Sequence, residues 1–289
     1  MKRDKNYWAD KFPDRRFEGE TELQQAQNVL LRMLKIFHHI CEENDLTYFL
    51  DSGTLLGAMR HKGFIPWDDD IDVAMPREDY DRFIEIAKDV LPDELFFQSK
   101  QTDPQFKRNL VKIVDRRSTV MAPRHVERNV EWHMGIFLDI FPMDYTNHPK
   151  VARFFLNFFY YNIKNKYKRT IVKVLRHLFV GIIRKKNVFK LAKKFFSIGQ
   201  KVNKKYMFHG FELKYNFKNS FYTVEEVFPL TKCQFEDYEF YIPKESDILL
   251  TKVYGDYMKM PPKEMQRFHF KEIRVDEKCP YELKLGGKY

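Results

Sequence analysis

Apolar residues along this chain fall into helical and strand periods that alternate through its first half. From about Glu20 to Glu43, Leu23, Ala26, Leu30, Met33, Leu34, Phe37, Ile40 and Cys41 recur every three or four positions, the spacing of one helix face. A short apolar run, Thr47–Leu50, then reads as a strand that ends in the turn Asp51-Ser52-Gly53, with Thr54–Met59 helix-like and Arg60–Trp67 a loop carrying Gly63 and Pro66. Ile71–Met75 alternates as a strand, and Pro76 opens a helix from about Arg77 to Val90, since proline suits a first helical turn. Further strands are predicted at Leu95–Gln98, Leu110–Val114 and Ile136–Phe141, and the segments Tyr222–Leu230 and Phe235–Ile242 are of mixed character. The pattern predicts an α+β (α/β) fold, a mixed β-sheet flanked by helices. An N-terminal extension covers 1–19, the core is built from 20–145 and completed by 211–289, and a basic helical insertion occupies 146–210.

The insertion stands out by charge. The 289-residue chain has a formal net charge of +10, yet between Asp144 and Glu212 there are 17 Lys and Arg and no acidic residue. Within it, Phe154–Phe159, Ile171–Ile183 and Val188–Phe196 keep apolar residues on one helical face with lysine and arginine elsewhere. Such helices either pack on a core and show their lysines to water, or lie on an anionic bilayer. The longest stretch free of charged residues, Phe154–Ile163, has ten residues, too few for a spanning helix. The charged N-terminus lacks the apolar region of a secretory signal, and three scattered cysteines predict reduced thiols, as in a cytoplasmic protein. No RNA-binding signature accompanies the positive charge, so nucleic acid is not an expected partner.

Chemistry concentrates in Phe49–Met75, FLDSGTLLGAMRHKGFIPWDDDIDVAM. Asp68, Asp69, Asp70 and Asp72 set four carboxylates within five residues. On a strand Asp68, Asp70 and Asp72 project to one side and Asp69 to the other. Like charges so close repel, and hard divalent cations with oxygen preference, Mg²⁺ or Mn²⁺, are their natural counterions. A cluster of this kind is also found on solvated loops, but Pro66 and Trp67 before it and Ile71 and Val73 within it argue for a built strand. Upstream, backbone N–H groups at Ser52, Gly53 and Thr54 are suited to a phosphate at a helix start. Asp139, one carboxylate inside the apolar run Gly135–Pro142, reads either as an outward strand residue or as a third acid brought beside Asp70 and Asp72. Arg60, His61 and Lys62 would either meet a nucleotide or form a solvated basic turn, and Lys112, like Asp115, lies on a predicted central strand and is a further candidate to face the site. Trp67 is either an aromatic face for a quaternary ammonium or a clamp for its own loop. His38, His39, His125 and His133 lack zinc-ligand spacing.

The string Gly53–Met75, with GIFLDIFPMD at Gly135–Asp144 and YGDYMKMPP at Tyr254–Pro262, resembles the LicD family of phosphocholine transferases, related to the fukutin-type proteins. That resemblance, spread over about residues 25–265, implies a nucleotidyltransferase-like core. It places the small turn at Ser52 and Gly53, the D-x-D pair at Asp70 and Asp72, the third acid at Asp139, and an extra acid at Asp68. It implies transfer of phosphocholine from CDP-choline to a hydroxyl of a bacterial cell-surface glycan or glycolipid, a teichoic acid or lipopolysaccharide precursor. A lipid-carried acceptor would also explain the basic insertion, so charge and function together predict a cytoplasmic protein peripheral at the inner face of the cell membrane. Alternatives are transfer of another polyol-phosphate from a CDP-polyol, nucleotidyl transfer to a small molecule or RNA, and a non-enzymatic membrane-surface protein.

Overall fold

Thr21 starts the first long helix. Its hydroxyl accepts the Gln24 N–H at 3.2 Å while the Gln24 side chain accepts the Thr21 N–H at 3.1 Å, a reciprocal cap that satisfies two orphan donors. The computed structural model describes residues 7–122, 130–150, 152, 204–210, 213 and 221–285. Its elements are α1 (Tyr7–Lys11), α2 (Glu22–Glu43), β1 (Phe49–Leu50), α3 (Ser52–His61), β2 (Ile71–Pro76), α4 (Arg77–Val90), β3 (Leu95–Gln98), β4 (Val111–Asp115), β5 (Thr119–Met121) and β6 (Phe137–Thr146). Then follow β7 (Tyr206–His209), β8 (Tyr222–Thr223), α5 (Val224–Val227), β9 (Thr231–Phe235), β10 (Tyr238–Ile242), α6 (Ser246–Tyr254), β11 (Glu272–Arg274) and α7 (Pro280–Leu285).

The central sheet runs β1-β2-β6-β4-β3, with β7 added to β6 and β8 to β7. Among the described residues only β2 and β6 pair in parallel; the other pairs are antiparallel, so the sheet is mixed and the fold is α+β. Two further antiparallel ladders, the hairpin of β9 with β10 and the long-range pair of β5 with β11, complete the strands described.

Alternation along the strands separates two cores. Leu50, Val73, Ile113, Leu138 and Ile140 face the larger one, packed under Leu30, Phe37 and Phe83 of α2 and α4. Phe49, Ala74, Phe141, Met143 and Met207 face the smaller one with Tyr222 and Leu249. Asp51, Asp72 and Asp139 share the parity of this second set, so all three emerge on one face of the sheet.

β5, β7 and β11 are among the strands that the hydrophobic pattern does not mark; they are short and find their partners far away in sequence. β7 falls inside 146–210 and pairs with the end of β6, Thr146 opposite Tyr206, so the basic stretch leaves and rejoins the sheet at neighbouring positions. The apolar stripes at 154–159, 171–183 and 188–196 lie outside the described residues. Among the described residues no helix is long and apolar enough to cross a membrane.

The segment 1–19 is fastened to the core where it is described. Trp8 is buried against Phe12 and His39, and the Arg16 guanidinium, 2% exposed, meets the buried Asp115 carboxylate at 3.0 Å. Asp115 thus serves this lock and does not face the carboxylate row. Removing one partner of a buried ion pair strands the other charge. We expect Arg16→Leu to lower the unfolding free energy by about 3–5 kcal/mol in urea titration, and the double change Arg16→Leu/Asp115→Leu to restore part of the loss.

Candidate active site

Strand register assembles the charged row. The parallel pairing of β2 with β6 sets Asp72 directly beside Asp139, and the antiparallel pairing of β6 with β4 sets Lys112 on the other side of Asp139. At the far edge the Asp51 N–H donates to the Asp72 carbonyl at 3.0 Å. Lys112 Nζ lies 2.7 Å from Asp139 Oδ1 and over the Phe137 ring, and Arg108 approaches Asp139 Oδ2 at 3.7 Å. Burial lowers the Lys112 pKa to about 8, against the pull of Asp139 in the other direction.

Asp68 and Asp70 reach the same cleft from the turn that precedes β2, not from the strand itself, where the sequence pattern had put them. The Asp68 backbone is pinned at both ends: its N–H donates to the Ile65 carbonyl at 2.8 Å and its carbonyl accepts from Gln27 Nε2 at 2.9 Å. Burial, then repulsion from Asp70 and Asp69, pushes the Asp68 carboxyl up to about 8. Burial likewise pushes Asp70 up to about 6, with Asp139 and Asp69 adding to it and His269 opposing it. Asp72 is raised well above the usual range by burial and by Asp70 and Asp139.

Asp69 turns away, as alternation predicts. It is 3% exposed and accepts the backbone N–H groups of His269 at 2.6 Å and Phe270 at 3.0 Å, while its other oxygen meets His269 Nδ1 at 2.8 Å. The hydrogen bond to Asp69 raises the His269 pKa to about 9, and Nδ1 stands 3.9 Å from Asp70.

Opposite the acids, α3 begins at Ser52, in the left-handed region with φ 49°, after Asp51 as N-cap. A Cβ on Gly53 would sit 3.1 Å from Asp68 Oδ2, so glycine keeps the helix start against the acidic turn. Burial works against the Asp51 carboxylate, but His209 at 2.6 Å and the Ser52 hydroxyl donating at 3.2 Å outweigh it and hold its pKa below the usual range. Together these groups line a cleft of about 410 Å³. Its other wall is Tyr222, Leu249, Leu250, Val253, Tyr254 and Phe270, with Phe137 below. Burial raises both tyrosine hydroxyls, and that of Tyr254 also feels Asp51, Asp72, Asp68 and Asp70.

Of the residues singled out from sequence, Ser52, Gly53, Asp68, Asp70, Asp72 and Asp139 converge on this cleft. Thr54 supports it from behind, its Oγ1 accepting the Asp72 N–H at 2.8 Å. Lys112 is spent on Asp139 and does not line the cleft. Arg60 and His61 belong to the last turn of α3, not to a loop, and Lys62 caps that helix with φ 59°. None of the three lines the cleft: Arg60 donates to the Tyr257 carbonyl at 2.6 Å, and its Nε bonds His61 at 3.0 Å. Trp67 packs half-buried against the larger core and is also absent from the cleft. His38, His39 and His133 pair with Tyr48, Tyr7 and Glu282, and His125 lies outside the described residues. Sequence reasoning missed Arg108, His209, His269 and the two tyrosines. Tyr254 alone carried a signal, as the first residue of the YGDYMKMPP block.

Carboxylates whose pKa values rise through shared burial want a cation, and an all-oxygen donor set of this kind fits Mg²⁺ or Mn²⁺. Among the described residues, ligand atoms of Asp68, Asp69, Asp70 and His269 also lie within 4.8 Å of one another, but both Asp69 oxygens are committed to the 269–270 backbone and ring.

A sequence profile of the LicD/FKTN/FKRP nucleotidyltransferase domain matches residues 45–197. Among curated proteins, the lipopolysaccharide cholinephosphotransferase LicD of Haemophilus influenzae is 31% identical over 271 residues, covering 86% of this chain and 95% of that protein. An uncharacterised protein of Rickettsia typhi is 33% identical over 117 residues, 40% of this chain and 34% of its own. Another from Rickettsia prowazekii is 46% identical over 50 residues, 17% of this chain and 19% of its own.

Raised carboxyl pKa values mean that folding takes up protons between the unfolded value of 3.8 and about 8 for Asp68, so these groups' share of stability falls as pH rises through that window. His269 adds to the fall, its contribution being lost as pH climbs through about 9. In EDTA, Tm is expected to drop between pH 5 and pH 8, on the order of a few degrees. Asp68→Asn should flatten the drop, and a saturating divalent cation should reverse it.

Proposed function

This chain belongs to the LicD family and is a phosphotransferase; from that premise we propose that it transfers phosphocholine from CDP-choline to a hydroxyl of lipopolysaccharide or a related cell-surface glycan precursor, releasing CMP. The observation that carries the reading is the 31% identity over 86% of the chain to a lipopolysaccharide cholinephosphotransferase. The carboxylate row of Asp70, Asp72 and Asp139 in one cleft supports it physically.

In this reading Asp70, Asp72 and Asp139, with Asp68 beside them, hold one or two Mg²⁺ or Mn²⁺ ions. Bound there, the cation neutralises the donor diphosphate and the charge that develops as the phosphoryl group moves. The chain's own groups do the rest. Backbone N–H groups at Ser52 and Gly53 point a helix start at phosphate. Arg108, whose side chain is 40% exposed, supplies a mobile cation at the Asp139 end of the cleft. Lys112 holds Asp139 in register, so that Asp139 either completes the ligand set or receives the proton of the attacking hydroxyl. Tyr222, Tyr254, Phe137 and Phe270, rather than Trp67, offer the aromatic faces that suit a quaternary ammonium. That wall favours choline over a hydroxyl-rich polyol as the transferred alcohol, and a teichoic acid acceptor stands as the variant of the same reading. We infer that the reaction runs at the inner membrane face, the positive charge of the stretch 146–210 being suited to anionic lipid.

The test is CMP release from CDP-choline by purified protein with lipopolysaccharide as acceptor. We expect release that needs the acceptor, stops in EDTA and is lost in Asp70→Ala and Asp72→Ala with folding retained. Lys112→Met, which removes a positioning contact, should reduce kcat by about 10–100-fold. No release from CDP-choline, with turnover of a CDP-polyol, would overturn the choline assignment.

A further inference from the structure

The chain between α6 and β11 leaves the cleft and returns to it. Val253 and Tyr254 line the cleft at one end of this excursion, and His269 and Phe270 line it at the other. Its path is tied down on both sides. Arg60, from the end of α3, donates to the backbone carbonyls of Tyr257 at 2.6 Å and Lys259 at 3.5 Å, while Asp69 captures the N–H groups of His269 and Phe270. Tyr257 and Phe270 are buried, and the Gln266 side chain bonds the Pro261 carbonyl at 2.9 Å across the turn. This is a built loop.

What it shows to solvent is unusual. Met258, Met260, Met265 and Phe268 are 56%, 47%, 69% and 57% exposed. These four are half of the large hydrophobic side chains that stand exposed among the described residues. Interleaved with them, Lys259, Lys263 and Arg267 are exposed, against two exposed acids, Asp256 and Glu264, and the exposed Lys271 follows just after. Large apolar side chains held in water by a fixed backbone mark an interaction surface. Unbranched methionines and a phenylalanine set among cations match the interfacial zone of an anionic bilayer, where the apolar tips enter the acyl boundary and the lysines meet phosphate. A protein partner of ordinary chemistry would not call for the cationic excess, which here is complementary to anionic headgroups.

We propose that the loop 255–268 is a membrane-docking element: Met258, Met260, Met265 and Phe268 insert into the interface of an anionic bilayer and hold the mouth of the carboxylate cleft against the headgroup layer. It is a segment distinct in sequence from the basic stretch 146–210. Because its two ends are cleft residues, docking fixes the distance from the bilayer to Asp70 and Asp72, so the acceptor is met at headgroup depth. The proposal stands on exposure and charge and does not depend on which alcohol the enzyme transfers.

The experiment uses the full chain with Met265→Cys carrying an environment-sensitive fluorophore, in a Cys233→Ser background because Cys41 and Cys279 are buried. Vesicles are phosphatidylcholine alone or with phosphatidylglycerol. A blue shift on the phosphatidylglycerol vesicles and none on phosphatidylcholine alone is expected. In the unlabelled chain, Met265→Ser/Phe268→Ser should weaken sedimentation with the anionic vesicles by about tenfold or more, with CD unchanged. Three results would overturn the proposal. One is absence of vesicle binding. A second is binding without a shift at residue 265, which would assign docking to another surface. The third is a shift that appears on raising protein concentration without vesicles, which would make the loop an interface between two copies.

Discussion

The site depends on carboxylates being forced together by strand register. Parallel pairing of β2 with β6 brings Asp72 beside Asp139, and the turn before β2 adds Asp70 and Asp68 to the same small volume. Like charges in a half-buried cleft repel, which is why burial and mutual repulsion raise the pKa values of Asp68, Asp70 and Asp72. The sheet holds them because its apolar residues leave no alternative register: a slip of one residue would carry Val73 and Ile140 out of the larger core and Asp72 into it. Hydrophobic burial thus supplies the force that keeps the charges in place. Their repulsion is the charge that any cation bound in the cleft would relieve.

Around this row the other ionisable groups divide the labour by partner. Lys112 and Arg108 balance Asp139. His209 and Ser52 balance Asp51, the N-cap of α3, whose first residues Ser52 and Gly53 line the cleft. Asp69, the acid with opposite parity, looks inward and fixes the backbone at His269 and Phe270. A run of four acids in the sequence is therefore two devices: Asp68, Asp70 and Asp72 line the cleft, and Asp69 anchors the backbone at 269–270. Arg60 is the second anchor of the same C-terminal segment. A residue that reads locally as a basic turn is a support for the aromatic and apolar wall opposite the acids.

Much of this was legible in the chain. The long helix, the strand at Ile71–Met75 and the strands bearing Lys112 and Asp139 follow from periodicity, because their apolar faces are local patterns that burial must respect. Asp70, Asp72, Ser52 and Gly53 follow from spacing, because neighbours in sequence on a strand or at a helix start remain neighbours in space. Trp67 shows where adjacency misleads. It touches the acidic cluster along the chain, yet a large apolar side chain gains more by packing on the core than by lining a charged cleft, and there it sits.

The sequence by itself determined the α+β class, the D-x-D pair with its neighbouring acids, the small turn at the helix start and the family to which they belong. Each of these is written in short-range order. Only the tertiary structure decided that Lys112 pairs with Asp139, that His209 from the end of the basic stretch seats on Asp51, and that Asp69 draws in His269 from 200 residues away. It alone joined Tyr222 and Tyr254 into one wall and let the chain from 255 to 268 stand exposed beside it. Those partners are chosen by sheet order and by the pairing of distant strands, and no local period in a sequence encodes which distant strand lies next to which.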